Sequence, residues 1–423
     1  MLLKKAKRKL GSRNLRAGSY GSDVAHLQQR LADLGYEPGP DNGQFGYLTQ
    51  EALQYFQRDY RLRIDGIAGE EVFAVLLQEQ LPVHRRVHVV ERGESLAQIA
   101  SGYDIGIEAL QASNKKGDLY AGQKLIFFDR QVWGIQYADM MAQESFQRNQ
   151  KLLTGVFKAL ALNQNITGIS IVKGVPSIGM IRLPEGNQLL QAHKLMTSRR
   201  QKRECLQYLE KISHRFDGLY LPWDSFYRVD GSRYHKFVQR LRKVIGEKHL
   251  VIMFTPQMPS WNVFGGINFR DLSAVVNKIV VSIPTPRTAQ PLVDKDQSER
   301  LIHSALKLIP SWKILLRIPV YAGLCEHGTS DKEIETLSHP AAMNTVFRRG
   351  AKLMKDKQEQ FYYRYYNQEK EMHLCITSVD QISQTIRLAN RYNLAGVVID
   401  NLGMEDKRIW STLQSQFSVG KFL

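Results

Sequence analysis

Apolar side chains recur at three- and four-residue spacing early in the chain. Val24, Leu27, Leu31 and Leu34 form one stripe before Gly35-Tyr36 stops it, which predicts an amphipathic helix. Ala52, Leu53 and Phe56 form a second stripe, and Val72, Val75 and Leu76 a third. Two loop signals separate them, Asp41-Asn42-Gly43-Gln44-Phe45-Gly46 and Asp65-Gly66-Ile67-Ala68-Gly69, and Thr49 reads as a helix N-cap. Residues 19–80 are therefore expected to be a small all-α three-helix module. After Leu81-Pro82 the period changes. Residues 86–130 read strand (87–90), helix (95–101), helix (107–113), strand (124–128), a small α+β unit in βααβ order, with Ser95 as an N-cap.

From 131 to 423, short β-branched runs alternate with helical patterns, which predicts one α/β unit, a (β/α)8 TIM-type barrel. Its expected strands are 132–138, 166–172, 193–196, 217–224, 250–255, 278–283, 313–320 and 396–401. Helices such as 203–215 and 379–392 fall between them, and irregular chain is expected over 173–187. The fourth strand lies in Phe216-Asp217-Gly218-Leu219-Tyr220-Leu221-Pro222-Trp223-Asp224. Side chains alternate faces along a strand, so Leu219, Leu221 and Trp223 should pack under helices while Tyr220, Pro222 and Asp224 point inward. Asp224 then ends an inward row at the C-terminal edge, where such barrels keep their chemistry. Pro222 cannot donate to the ladder, so a kink or an early strand end is expected there.

Charge changes the picture more than composition does. With 58 Lys and Arg against 41 Asp and Glu the formal net charge is +17. That predicts attraction to anionic polymers: nucleic acid, phosphate-bearing wall polymers, or peptidoglycan with its free carboxylates. Residues 1–18 carry seven basic groups and no acid, and read as a disordered basic arm able to tether an anionic wall polymer. No hydrophobic stretch follows Met1 to Arg16, so this start is not read as a secretory signal peptide, and synthesis and retention inside the producing cell are expected. No run of about 18 apolar residues predicts a membrane span. Cys205, Cys325 and Cys375 are far apart and read as reduced thiols. The histidines, among them His235, His249, His303, His327, His339 and His373, lie at unrelated spacings, so no metal site is expected. No phosphate loop or dinucleotide fingerprint appears, and no cofactor is expected.

Three resemblances rest on these residues. The positions Val24, Leu27-Gln28, Leu31, Leu34-Gly35-Tyr36, Asp41, Gly43, Phe45-Gly46, Thr49, Ala52, Phe56-Gln57, Leu62, Asp65-Gly66 and Gly69 resemble the three-helix peptidoglycan-binding module found beside many wall hydrolases. Val89, Gly93-Glu94-Ser95-Leu96, Ile99-Ala100, Leu110, Asn114, Leu119 and Gly122-Gln123-Lys124-Leu125 resemble a LysM domain. Such domains bind N-acetylglucosamine chains in a shallow groove. Carried over, that groove falls at Gly93, Glu94, Ser95 and Leu96, opposite Leu119, Tyr120, Gly122 and Gln123. Leu96 and Leu125 read equally well as core.

The strand around Asp224 resembles the signature strand of glycoside hydrolase family 18, phenylalanine followed by D-G-x-D-x-D-x-E, particularly in the LysM-bearing branch that acts on spore cortex peptidoglycan. Lys313 to Tyr321 and His373 to Gly403 resemble its seventh strand and its closing segment. In that family a glutamic acid protonates the leaving oxygen and the substrate's own N-acetyl oxygen attacks. The acid position here holds Asp224, whose carboxyl is shorter by one C–C bond, roughly 1.5 Å. A misplacement of about 1 Å costs on the order of a hundredfold. The orienting aspartate is replaced by Pro222 and the preceding one by Tyr220. Asp217 and Gly218 remain in mainly structural positions. Val281-Ser282-Ile283-Pro284 offers no tyrosine at the sixth strand, and Asp400 stands where a tryptophan floors the sugar.

Asp224, Asp217, Tyr220 and Asp400 are the candidate catalytic positions. Asp224 and Asp400 would either share a proton across the mouth or each pair with a nearby group. Trp261, after the fifth strand, is a candidate sugar platform. The expected function is a wall- or spore-associated protein binding peptidoglycan or another N-acetylglucosamine polymer, with a barrel that has lost cleavage. The alternative is an active N-acetylglucosaminidase-type cortex hydrolase using Asp224 as general acid. Nucleic acid is not the expected partner. Manufacture in the cytoplasm and deposition on spore cortex or coat follow from the resemblance.

Overall fold

The computed structural model describes residues 9–60, 62–77, 84–103, 107, 110–111, 114, 118–165, 169, 171, 174–224, 226–255, 266–282, 295–327, 334–355, 361–416 and 418–420. The chain divides into two compact units, 1–130 with 310–312, and 131–309 with 313–423.

The first unit opens with three helices, α1 (Ser22–Asp33), α2 (Tyr47–Asp59) and α3 (Glu70–Leu76). Their stripes meet in a core of Val24, Leu27, Leu31, Leu53, Phe56, Val72 and Leu76. Two buried glutamines hold the loops between them. Gln28 Nε2 donates to the Gln44 carbonyl and Thr49 Oγ1, both at 2.9 Å, while its Oε1 accepts from Gly43 N at 3.0 Å. Gln57 does the same for the second loop, donating to Asp65 Oδ1 (2.8 Å) and the Ile67 carbonyl (3.1 Å) and accepting from Gly66 N at 2.8 Å. Gly43 and Gly66 sit at φ 72° and 69°, the left-handed region that favours glycine.

Two expectations change here. Residues 9–18 do not form a free arm: Leu15 is wholly buried and exchanges backbone hydrogen bonds with Ala68 at 3.0 and 2.8 Å. Arg13 pairs with Asp23 at 2.7 Å. Apolar burial of one leucine, about 1.5–3 kcal/mol, is enough to hold a basic segment down. Thr49 is not a cap, because α2 starts two residues earlier. Its hydroxyl is buried and donates to the Pro38 carbonyl at 2.9 Å.

The same unit continues through β1 (His84–Val89), α4 (Leu96–Gly102) and β2 (Lys124–Gln136), with β1 antiparallel to β2 over 84–89 and 124–129. Val90, Ile99, Ala100, Leu110, Leu125 and Phe127 form its core. Ser95 caps α4 as expected, in a reciprocal box with Gln98. The expected helix at 107–113 lies largely outside the described residues.

In the second unit eight parallel strands close into a barrel. They are the later part of β2, β3 (Gly155–Ala161), β4 (Ser177–Arg182), β5 (Gly218–Leu221), β6 (His249–Phe254), β7 (Lys278–Ser282), β8 (Ile314–Pro319) and β14 (Gly396–Asp400), with β2 pairing both β3 and β14. Helices α5 (Met140–Asn149), α6 (Gln188–Thr197), α7 (Arg199–Ser213), α8 (Gly231–Ile245), α9 (Phe269–Val275), α10 (Lys295–Leu306), α12 (Val379–Arg391) and α13 (Ile409–Gln416) accompany the strands. Strand parity holds as read: Leu219, Leu221 and Trp223 belong to the large core under the helices, Tyr220 to the barrel interior. That interior is filled by Trp133, Phe157, Ile178, Met180, Tyr220, Val251, Val280, Leu315 and Val398, with Trp133 stacked on Phe157 at 4.7 Å.

Two strand expectations and one loop expectation fail. Residues 193–196 lie in helix α6, where Asn187 Oδ1 accepts from Leu190 N and Ala192, Leu195 and Met196 make a helical stripe. The second and third strands are β3 and β4, not 166–172 and 193–196. Of 166–172 only 169 and 171 are described, outside any strand. The irregular stretch expected over 173–187 contains β4. Between β8 and α12 the chain inserts a five-stranded antiparallel sheet the sequence reading did not foresee. Its strands are β9 (Ala322–Glu326), β10 (Glu335–Leu337), β11 (Lys352–Lys355), β12 (Phe361–Asn367) and β13 (Lys370–Ile376), in the order β10-β9-β13-β12-β11. Ala322, Leu324, Tyr365 and Leu374 pack with Ala342 of α11 (His339–Arg349) into a separate small core.

Candidate functional site

Side-chain carboxylates and their partners gather where β5, β6, β8 and β14 end. β5 stops at Leu221, immediately before Pro222, as the missing N–H requires. Asp224 therefore lies on the loop beyond the strand. Its Oδ2 accepts a 2.6 Å hydrogen bond from Thr255 Oγ1, just past β6. Tyr220, four residues earlier on the inward row, is completely buried with its ring tilted against Phe157 at 4.8 Å. Its hydroxyl meets no partner among the described residues, and burial drives its pKa upward.

Asp400, the last residue of β14, is buried on the inward row and accepts from Arg317 Nη2 of β8 at 2.7 Å. Arg317 Nη1 also lies 3.7 Å from Met253 Sδ. Burial alone would lower the Arg317 pKa, but the Asp400 carboxylate beside it, helped by Tyr220 and Tyr137, carries it upward. Asp400 Oδ1 and Arg317 Nε are buried without a partner among the described residues. Each inward acid thus has its own partner, Thr255 for Asp224 and Arg317 for Asp400. On the same inward rows the Arg182 guanidinium lies 5.3 Å from the Tyr137 ring centroid. Sequence reasoning missed Arg317, Thr255, Tyr137 and Arg182 as mouth residues, although period-2 parity from Leu315 and Val251 already turns Arg317 and Thr255 inward.

Asp217 is at the opposite end. It precedes β5, its Oδ2 accepts from Ser177 N at 2.8 Å, and its carbonyl accepts from His249 N at 3.1 Å, so it ties β4, β5 and β6 together at their N-terminal edge. The structure does not bring it to Asp224's end of the barrel. Trp261 lies outside the described residues.

In the first unit the two expected groove loops lie side by side. Val90 bridges them, accepting from Gly122 N at 2.8 Å and donating to the Gln123 carbonyl at 2.9 Å. Gly93 and Gly122 adopt φ 87° and 84° with open space where a side chain would be, so both loops expose backbone. Glu94 Oε2 accepts from Glu91 N at 2.6 Å and lies 2.8 Å from His88 Nε2. These bonds, the Glu91 amide first, hold its pKa below the usual range. Ser95 is engaged in its cap. Tyr120 is 66% exposed beside Gln123, whose Oε1 accepts from Tyr120 N at 3.2 Å. Leu96 and Leu119 pack partly into the small core and Leu125 is buried in it.

One side-chain cluster was not visible from the histidine spacings: His327, Glu371 and His373 converge on the inserted sheet.

Residues 20–76 match the family model of the putative peptidoglycan binding domain, and residues 88–128 that of the LysM domain. The chain carries both modules. Among solved structures, the spore cortex-lytic enzyme SleL of Bacillus megaterium QM B1551 is similar at 13% identity with a TM-score of 0.59, over 80% of this chain and 87% of that one. A chitinase from Chromobacterium violaceum ATCC 12472 is similar at 17% identity with a TM-score of 0.58, over 68% of this chain and 99% of that one. These likenesses establish the fold: the second unit is a TIM-type barrel. The N-acetylmuramoyl-L-alanine amidase CwlM of Mycobacterium tuberculosis is 47% identical over 78 residues, which is 18% of this chain and 19% of that protein. The chain spans about a fifth to a quarter of the length of such curated relatives. Among the described residues no helix is long and apolar enough to cross a membrane.

Proposed function

We propose that this protein binds peptidoglycan or a related N-acetylglucosamine polymer through its two small modules, and that its barrel does not cleave glycan by the family 18 mechanism. The division we adopt is a helical module, a LysM domain and a barrel from 131 onward. The observation that carries the reading is the mouth. The family acid is replaced by a shorter Asp224 already bound by Thr255, Pro222 stands at the orienting position, and Asp400 is held by Arg317 at the place of the sugar-flooring tryptophan. Asp217 is assigned a structural role. Similarity to spore cortex-lytic enzymes favours action at the spore or wall. The experiment is zymography on cortex peptidoglycan beside pelleting with purified sacculi. The expected result is pelleting without clearing.

The second reading, a slow N-acetylglucosaminidase with Asp224 as acid, is favoured by one observation: Asp224 lies beyond the C-terminal end of β5, bonded to Thr255. Clearing by wild type that vanishes in Asp224→Asn would establish it and remove the first.

A further inference from the structure

The inserted sheet places three ligand-type side chains together that no part of the barrel reading uses. Glu371 and His373 are two apart on β13 and so share one face. β9 runs antiparallel to β13 with Met372 opposite Glu326 and His373 opposite Cys325, which sets His327 opposite Glu371. The backbone bond from His327 N to the Glu371 carbonyl, 2.8 Å, fixes that register. This face is the reverse of the one that packs Leu324 and Leu374 into the small core. One ring nitrogen from each histidine and one Glu371 oxygen all lie within 4.8 Å of one another. The shell around them is ordered. Tyr366 Oη donates to Glu371 Oε2 at 2.9 Å, Glu371 Oε1 lies 2.7 Å from His373 Nε2, and the Tyr362 and His327 rings pack against His373 with centroids at 4.4 Å.

We infer that His327, Glu371 and His373 form a site for a borderline divalent transition ion, with Zn2+ as the fitting occupant. Two imidazoles and one carboxylate suit such ions, whereas calcium and magnesium take oxygen ligands. Ligand bonds of about 2.0–2.2 Å arranged tetrahedrally put ligand atoms roughly 3.3 Å apart. Small side-chain rotations close the present spacing to that value. The ion takes the place now spanned by the Glu371–His373 hydrogen bond, and His373 binds it as a neutral imidazole whose one proton sits on the other ring nitrogen. Tyr366, bonded to the second Glu371 oxygen, then orients the carboxylate as an outer partner. Three protein ligands leave a fourth position for water or an incoming donor, and the ion clips the end of β9 to β13.

The test uses the full chain, stripped with chelator, titrated with ZnCl2, dialysed and assayed for bound zinc, with Co2+ absorption as a second readout. One equivalent is expected, with a rise in melting temperature. His327→Ala, at an exposed position, and Glu371→Gln should each lose that equivalent while keeping the wild-type circular dichroism. Tyr366→Phe should weaken zinc about tenfold or more. Failure of the wild type to hold an equivalent, or undiminished binding in both ligand variants, would overturn the inference.

Discussion

Arg317→Met tests whether the barrel mouth is held by the Arg317–Asp400 pair. The Asp400 side chain is 2% exposed and that of Arg317 23%. Removing the guanidinium strands a carboxylate whose other oxygen already lacks a partner among the described residues. Breaking a buried pair from one side costs about 3–5 kcal/mol. Because water reaches part of Arg317, the lower end applies, roughly 3 kcal/mol, or about 6 °C in the melting of a unit this size. Asp400→Leu leaves the better-solvated partner behind and should cost less, about 1–2 kcal/mol. Replacing both charges by apolar groups removes the desolvation penalty along with the attraction, so Arg317→Met with Asp400→Leu should return to within about 1 kcal/mol of wild type. The assay is denaturant unfolding of the three variants, with hydrogen exchange on β8 and β14 to isolate the barrel's transition. A double variant as unstable as the sum of the singles, or an Arg317→Met cost below about 1 kcal/mol, would refute the reasoning.

Gln28→Ala should strip the Gly43 amide of its acceptor, take from Thr49 Oγ1 and the Gln44 carbonyl the donor they share, and destabilise the helical module by about 2 kcal/mol, seen as faster exchange of the Gly43 amide. Tyr120→Ala should weaken pelleting with peptidoglycan without altering melting, since the ring is exposed; unchanged pelleting would remove it from the groove. His249 is pushed down to about 4, first by burial and then by Lys278 and Arg242, with Asp217 acting in the opposite direction. The unfolded chain takes up this proton near pH 6.5 and the folded one only near 4, so stability present above 6.5 is lost as pH falls through that window. His249→Asn should show a flatter urea midpoint between pH 6.5 and 4 than wild type.

Local pattern carried the sequence reading a long way where pattern and packing agree. The three helical stripes, the Asp-Gly loops, the Ser95 cap and the inward–outward parity of β5 are consequences of side-chain period and of what glycine and proline allow, and these operate over a few residues. The early end of β5 was readable from Pro222 alone. By contrast β3 and β4 carry no signal stronger than the β-branched run at 166–172, and the short stretch His193–Met196 suits helix as well as strand until Asn187 caps it. The inserted sheet escaped for the same reason.

Residue type and spacing thus determined that this chain holds two small modules and a barrel, and that Pro222 ends the strand before Asp224. Only the tertiary structure decided that Leu15 is core, that Asp400 belongs to Arg317, and that His327 meets Glu371 and His373. Each of those depends on strand register or burial between segments far apart in sequence. A one-residue change of register would reverse the faces, and no local pattern encodes it.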